Sequence, residues 1–320
     1  MTARPNALAP IDPLAAHPSG GYADELVEVR RAGPRRLASA SATAAALRLI
    51  TRTPHFALFR QGDRLVVEQA LSPEELDEDL TSLLRNELFD AGWVGGSELF
   101  ERIFTGVVVS TVERPAEAWE LFYRNTLTRI EDRLGGQSPD GRTGRSAVAP
   151  PEGSVIAEHV PLYDRVLGLV RGHTTIELGC CFGFQSLLLA GLGYEVAAVD
   201  ISPGTVALVS RMARRLGLAV ETIACDAAQV PRAEGAADTV LAVHLLEHLQ
   251  PGHCIGVLEE ALRLARRRVV VAVPFEQVSE PLFGHVQTLK LADLVAWGRS
   301  SGYPFQVEEF HGGWLVIDRR

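Results

Sequence analysis

The sequence predicts an α/β protein: an open, mostly parallel sheet with an antiparallel hairpin at its C-terminal edge, preceded by a smaller α+β module. Three observations carry that prediction. From residue 155 onward, short apolar runs alternate regularly with helical patterns, as a parallel sheet with right-handed crossovers requires. The stretch "TTIELGCCFGFQSLLL", residues 174–189, runs from an apolar strand through an acid and two spaced glycines into a leucine-rich helix. That is how a nucleotide-binding strand–loop–helix reads. Residues 135–153, rich in Gly, Pro and Ser, have the composition of a linker between the two parts.

Taken in order, residues 1–40 are rich in Ala, Pro, Arg and Ser with little periodicity, and a disordered tail is expected there. The module spans residues 41–134. In it "HFALF" and "RLVVEQ" form a hairpin turning at Gln61-Gly62-Asp63. A helix follows, with Ser72 as N-cap, Pro73 at its first position, Glu75 closing a capping box, and Leu76, Leu80, Leu83 and Leu84 on one face. "FTGVVVSTV" reads as a strand, and residues 115–134 as a helix. Trp119, Phe122, Tyr123, Leu127 and Ile130 form a stripe on that helix, read as packed core or, alternatively, as a wall against a substrate ring. Residues 154–320 hold strands at "TTIEL", "YEVAAVD", "AVETIACD", "ADTVLAVH" and "RRVVVAVPF", then "FQVEEF" and "GWLVIDR" meeting around His311-Gly312-Gly313.

Composition narrows the function. A net charge of −9 gives no basic face for nucleic acid, and "VRRAGPRR" reads as a solvated tail. Cys180, Cys181, Cys225 and Cys254 make no C-x-x-C pair, so neither a zinc knuckle nor a disulfide framework is indicated, and no metal is expected. No secretory pattern and no membrane span are readable, so the expectation is a cytoplasmic, soluble protein. Cations are almost all arginine, with Lys290 the single lysine, a mark of a GC-rich genome. A short-chain dehydrogenase would need Tyr four residues before that lysine, and Val286 stands there.

The ends of the strands carry the chemistry. A dinucleotide fingerprint G-x-G-x-x-G starting at Gly179 wants glycine where Cys181 and Phe184 stand, so pyrophosphate binding is disfavoured. The looser pattern acid-x-G-x-G-x-G is met by Glu177, Gly179 and Gly183, with Cys181 its one departure. That pattern resembles motif I of the class I S-adenosylmethionine-dependent methyltransferases, whose sheet is Rossmann-like. Asp200, 21 positions beyond Gly179, ends the second strand, where a carboxylate accepts both ribose hydroxyls. The resemblance implies that Asp226 lies near the adenine amino group. It implies S-adenosylmethionine as cofactor, with Ile201, Ala227 and His244 completing its contacts.

Transfer to a hydroxyl needs a base. His244, at the tip of the fourth strand, and His285, in "PLFGHV", are the candidates. His248, in "LEH", reads as a helix cap or packing residue and otherwise as a third choice; Glu247 is the residue that could support a divalent ion, without a visible ligand cluster.

From about Thr53 onward, "RTPHFALFRQGDRLVVEQALSPEELDEDL", "GSELFERIFTGVVVSTV", "AWELFYRNTL", "IELGCCFGFQSLLLA" and "VLAVHLLEHL" are similar to the mycofactocin oligosaccharide methyltransferases of actinobacteria. The resemblance implies methylation of a glucose hydroxyl on a glycosylated small molecule. Alternatives are another acceptor, such as a quinone, lipid or natural product, or a non-catalytic cofactor-binding module. The N-terminal module would cover the acceptor or serve as a homodimer contact. Trp93, Trp119, Tyr123, Trp297 and Trp314 are candidates for a sugar platform.

Overall fold

The structure, a computed structural model, describes residues 11–15, 21–33, 47–135 and 151–319. Most of the expected linker, residues 136–150, lies outside the described residues, as does much of the expected tail.

The first sheet has five strands: β1 (Tyr22–Ala23), β2 (Val27–Arg31), β3 (Arg48–Arg52), β4 (Phe56–Gln61) and β5 (Arg64–Gln69), in the order β1-β2-β5-β4-β3. The β4–β5 hairpin is the expected one, and Gly62 supplies its positive φ of 61°. β1 and β2 correct the tail reading. In β2, Val27 and Val29 are fully buried while Glu28 and Arg30 face outward, and the strand pairs in parallel with β5. Four residues of alternation were masked by their Pro- and Arg-rich surroundings.

The helix expected after β5 is broken in two. Pro73–Glu75 is a single 3-10 turn, closed by the Ser72 N–H donating to Glu75 Oε2 at 2.8 Å. Leu76 is then extended, and helix α1 runs only from Leu80 to Leu84 before a wider π turn over Arg85–Phe89. A buried ionic knot holds the break: Asp77 pairs with Arg129 at 2.6 Å, and Asp79 accepts from Ser154 Oγ at 2.8 Å and from the Ile156 N–H at 3.0 Å.

"FTGVVVSTV" is not a strand. It is the second half of helix α2 (Ser97–Thr111), in which eleven residues are buried. A helix buried on nearly every side loses its polar face, so its β-branched run mimics a buried strand. Gly106 lets β2 cross it, since a Cβ there would lie 2.5 Å from the Val29 side chain. Helix α3 (Pro115–Gly135) matches the expectation, and its aromatic stripe is core, with Trp119, Phe122 and Tyr123 at 1% exposure or less.

The second sheet follows α4 (Val155–Leu169), β6 (Thr174–Leu178), α5 (Phe184–Gly191), β7 (Glu195–Asp200), α6 (Pro203–Leu216), β8 (Val220–Ala224), β9 (Ala237–Val243), α7 (Pro251–Leu264), β10 (Ala265–Val273), α8 (Leu291–Ser300), β11 (Phe305–Glu309) and β12 (Gly313–Asp318). Its order is β11-β12-β10-β9-β6-β7-β8; β8, β7, β6, β9 and β10 are parallel, and the hairpin β11–β12 joins antiparallel at the β10 edge. The chain leaves β6 toward β7 and β8 and returns on its other side to β9. The crevice of this switch point opens at the carboxyl ends of β6 and β9. The two parts share one core, in which Phe184, Leu187, Leu208 and Met212 pack with Trp119, Phe122 and Tyr123. Among the described residues no helix is long and apolar enough to cross a membrane.

Candidate active site

The loop after β6 takes its shape from three left-handed residues at alternate positions: Gly179 (φ 72°), Cys181 (φ 48°) and Gly183 (φ 73°). Cys181 therefore keeps the backbone conformation of the glycine it replaces, at a steric cost a glycine would not carry. Side chains are excluded at its neighbours: a Cβ on Gly179 would lie 2.6 Å from Leu245 Cδ1, and one on Gly183 2.8 Å from Val209 Cγ1. Phe184, where a dinucleotide site wants glycine, is buried against Tyr123 with ring centroids 5.1 Å apart. Phe182 of the loop stacks on Phe104 of α2 at 5.5 Å, so the N-terminal module pins the turn.

The acids at the strand ends are aimed by backbone. Asp200 accepts the Cys181 N–H at 3.0 Å and the Ser202 N–H at 2.9 Å, one on each oxygen. The next residue, Ile201, is 74% exposed, an apolar side chain left in the open beside a polar site. Asp226 accepts the Ala228 N–H at 2.9 Å and pairs with His253 Nε2 at 2.8 Å. The Ala228 N–H first, and then His253, hold its carboxyl below the usual range. Ala227 beside it is half-buried. Glu177 differs from these: it is 5% exposed and accepts the Ser186 hydroxyl inside α5, and burial pushes its carboxyl up to about 7. It braces the loop from behind.

On the other side of the crevice, His244 follows β9 with φ 50°, its N–H tied to the Ala272 carbonyl at 2.9 Å. Its ring stands perpendicular to that of His159 at 5.7 Å, and its Nε2 is buried without a hydrogen-bond partner. Desolvation first, then the imidazoles of His159, His285 and His248, lower its pKa to about 3. Its Nδ1 lies 4.0 Å from Glu247 Oε1. Glu247 is 1% exposed, neither carboxylate oxygen has a hydrogen-bond partner, and burial pushes it up to about 8. The Val286 N–H donates to the Glu247 carbonyl at 2.9 Å, which brings His285 alongside. His285 Nδ1 meets Glu276 at 2.8 Å, and its ring lies perpendicular to that of His248, 4.7 Å away. Ligand atoms of Glu247, His248 and His285 lie within 4.8 Å of one another, a cluster that sequence spacing does not display.

The structure thus brings the loop after β6 together with Asp200 and Asp226 on one side of the crevice, and His244, His248 and His285 on the other. His159, His253 and Glu276 were not anticipated. Glu276 carried a readable signal, an acid just past a strand end, whereas His253 and His159 sit on helices with nothing local to mark them. Most aromatic candidates do not serve as a platform: Trp119, Tyr123 and Trp314 are buried, and Trp297 packs against the core of the second sheet. Trp93, 46% exposed, lines a cleft of about 540 Å³ with Arg60, Asp63, Ser97 and Glu98 on the N-terminal module. A second cleft, about 470 Å³, opens at the amino ends of β6 and β7; neither cleft is lined by the strand-end residues.

The family profile described as a methyltransferase domain matches residues 176–273, from β6 through β10. This segment matches a methyltransferase domain, and S-adenosylmethionine is its cofactor. Among curated proteins nothing matches the chain. Similar solved structures include magnesium protoporphyrin IX methyltransferase from Synechocystis PCC 6803 with bound SAH (19% identity, 62% of this chain and 96% of that one, TM-score 0.45). Others are a SAM-dependent methyltransferase from Aquifex aeolicus (18%, 49% and 87%, TM-score 0.41) and one from Methanosarcina mazei (17%, 48% and 95%, TM-score 0.41). At such identities no residue role passes from them to this chain.

Proposed function

We propose that the protein transfers the methyl group of S-adenosylmethionine to a glucose hydroxyl of the mycofactocin oligosaccharide. The observation that carries the acceptor class is the polar wall facing the cofactor loop: His244, His248, His285, Glu247 and Glu276. A quinone or lipid would want an apolar pocket beneath the N-terminal module, and that space is filled by Phe104, Trp119, Phe122 and Phe182. The similarity of the module's own segments to the mycofactocin enzymes supports the particular sugar, and the exposed Trp93 among polar neighbours suits a glycan.

The chain's residues divide the work. Gly179, Cys181 and Gly183 let backbone approach the methionine and ribose part of the cofactor, and Asp200 accepts the ribose hydroxyls. Ile201 and Ala227 flank the adenine, and Asp226, held by His253, accepts from its amino group. Bound, the cofactor supplies a methyl group on a sulfonium, open to in-line displacement. His244 Nε2 takes the proton of the attacking hydroxyl. A protonated ether is a far stronger acid than imidazolium, so even a depressed imidazole is a competent acceptor. Crevice walls that hold donor and acceptor in line supply the rest of the acceleration.

The test mixes purified protein and methyl-labelled S-adenosylmethionine with extract from actinobacterial cells lacking this gene. Label is expected in a glycosylated small molecule that releases a methylated hexose on hydrolysis. Label in an apolar or protein fraction instead would discard the sugar acceptor.

A further inference from the structure

Glu247 poses a physical problem. A carboxylate at 1% exposure with neither oxygen hydrogen-bonded is a costly arrangement unless something else meets it. Two imidazoles converge on it, and ligand atoms of Glu247, His248 and His285 lie within 4.8 Å of one another. Donors around one ion with bonds of about 2.1 Å stand roughly 3–4 Å apart, so small rotations of these side chains close the set.

We propose that Glu247, His248 and His285 bind a divalent transition-metal ion through one carboxylate and two imidazoles. The surroundings are those of a prepared site. Glu276 holds His285 Nδ1 at 2.8 and 3.0 Å, which fixes the ring and leaves Nε2 as the donor, the usual carboxylate–histidine support of a metal ligand. The segment carrying His285 is pinned by the Val286 N–H on the Glu247 carbonyl and by Gln287 Nε2 on the carbonyls of Leu246 and Leu249, at 3.0 and 2.6 Å. Two nitrogens and one oxygen favour zinc, iron, cobalt or manganese over magnesium or calcium. Three protein ligands leave positions open on the ion. The cation also supplies the counter-charge that Glu247 lacks.

Ion binding stands on this geometry alone; its use rests on the methyl-transfer reading. An acceptor hydroxyl on the ion is acidified, and its proton passes to His244 Nε2 as the bond from oxygen to the methyl carbon forms and the carbon–sulfur bond breaks.

Chelator-stripped full-length protein would be titrated with Co²⁺, followed by visible absorption and calorimetry. One ion per chain is expected, with Glu247→Gln and His285→Ala each weakening binding by about 100-fold. Glu276→Ala should weaken it by about 10-fold. His55→Ala, outside the cluster, should leave it unchanged. No uptake by the wild type, or Glu247→Gln and His285→Ala binding as the wild type does, would overturn the site. Glu247→Gln is close to isosteric, and matched melting curves keep it interpretable should His285→Ala misfold. S-adenosylmethionine affinity, measured on the same stripped and loaded samples, separates the two readings. Metal binding lost with cofactor binding intact removes this proposal alone, and the reverse removes the methyl-transfer reading alone.

Discussion

Two buried carboxylates bracket strand β9, Asp238 near its amino end and Glu247 just beyond its carboxyl end. Asp238 is saturated: it accepts the N–H groups of His173 and Thr174 at 2.9 and 3.2 Å and Arg266 Nε at 3.1 Å, and pairs with Arg267 at 3.2 Å. The His173 N–H above all holds its carboxyl well below the usual range. Glu247 has no such partner, and burial drives it the other way, up to about 8. The same strand thus ends in a clamp on one side and an unfinished site on the other. In a parallel sheet the amino ends can be tied off for stability, whereas ligands enter at the carboxyl ends, where groups must be held ready.

The largest test of this contrast is at the unfinished end. Replacing His244 by Ala should lower kcat by about 10²–10⁴-fold, well beyond any loss of S-adenosylmethionine affinity, read by steady-state kinetics and calorimetry. An unchanged kcat would move the proton to another acceptor. Asp200→Asn tests the cofactor wall. Losing charge on a carboxylate that orients Cys181 and Ser202 should weaken cofactor binding by about 100-fold, or about 3 kcal/mol, with little change in melting temperature.

At the clamped end the effect falls on stability instead. The folded-state pKa of Asp238 lies below its unfolded value of about 3.9, so its contribution is present above that pH and lost as pH falls through the folded value. Asp238→Asn should therefore cost about 2 kcal/mol near neutral pH, and the loss should shrink in acid. Melting curves across pH 2–7 check it, and a pH-independent loss would assign the effect to packing. The smallest effect is expected at Cys181. Glycine there relieves a left-handed non-glycine residue, so Cys181→Gly should raise stability by about 0.5–1 kcal/mol with activity retained. A loss of cofactor affinity would show that the side chain itself belongs to the cradle.

What the chain determined on its own is the local part. All seven strands of the second sheet were readable: β6, β7, β9 and β10 as continuous apolar runs of a buried parallel sheet, and β8, β11 and β12 as shorter runs bounded by turns. The turns proposed to hold the cofactor were readable too, because each is local to a strand end: Gly179, Cys181 and Gly183 follow β6, Asp200 ends β7 and Asp226 lies just past β8. Readings failed where burial came from elsewhere in the chain. α2 is enclosed by β1, β2, α1 and α3, so its apolar face wraps around it and mimics a strand; β2 acquires its parallel pairing from β5, more than thirty residues further along the chain. The helix after β5 breaks because Asp77 and Asp79 find Arg129 and Ser154. The histidine-lined wall is the clearest case. Glu247 meets the loop of Glu276 and His285 through the Val286 N–H on its carbonyl, and only the closed fold brings a buried carboxyl without a hydrogen-bond partner under two imidazoles.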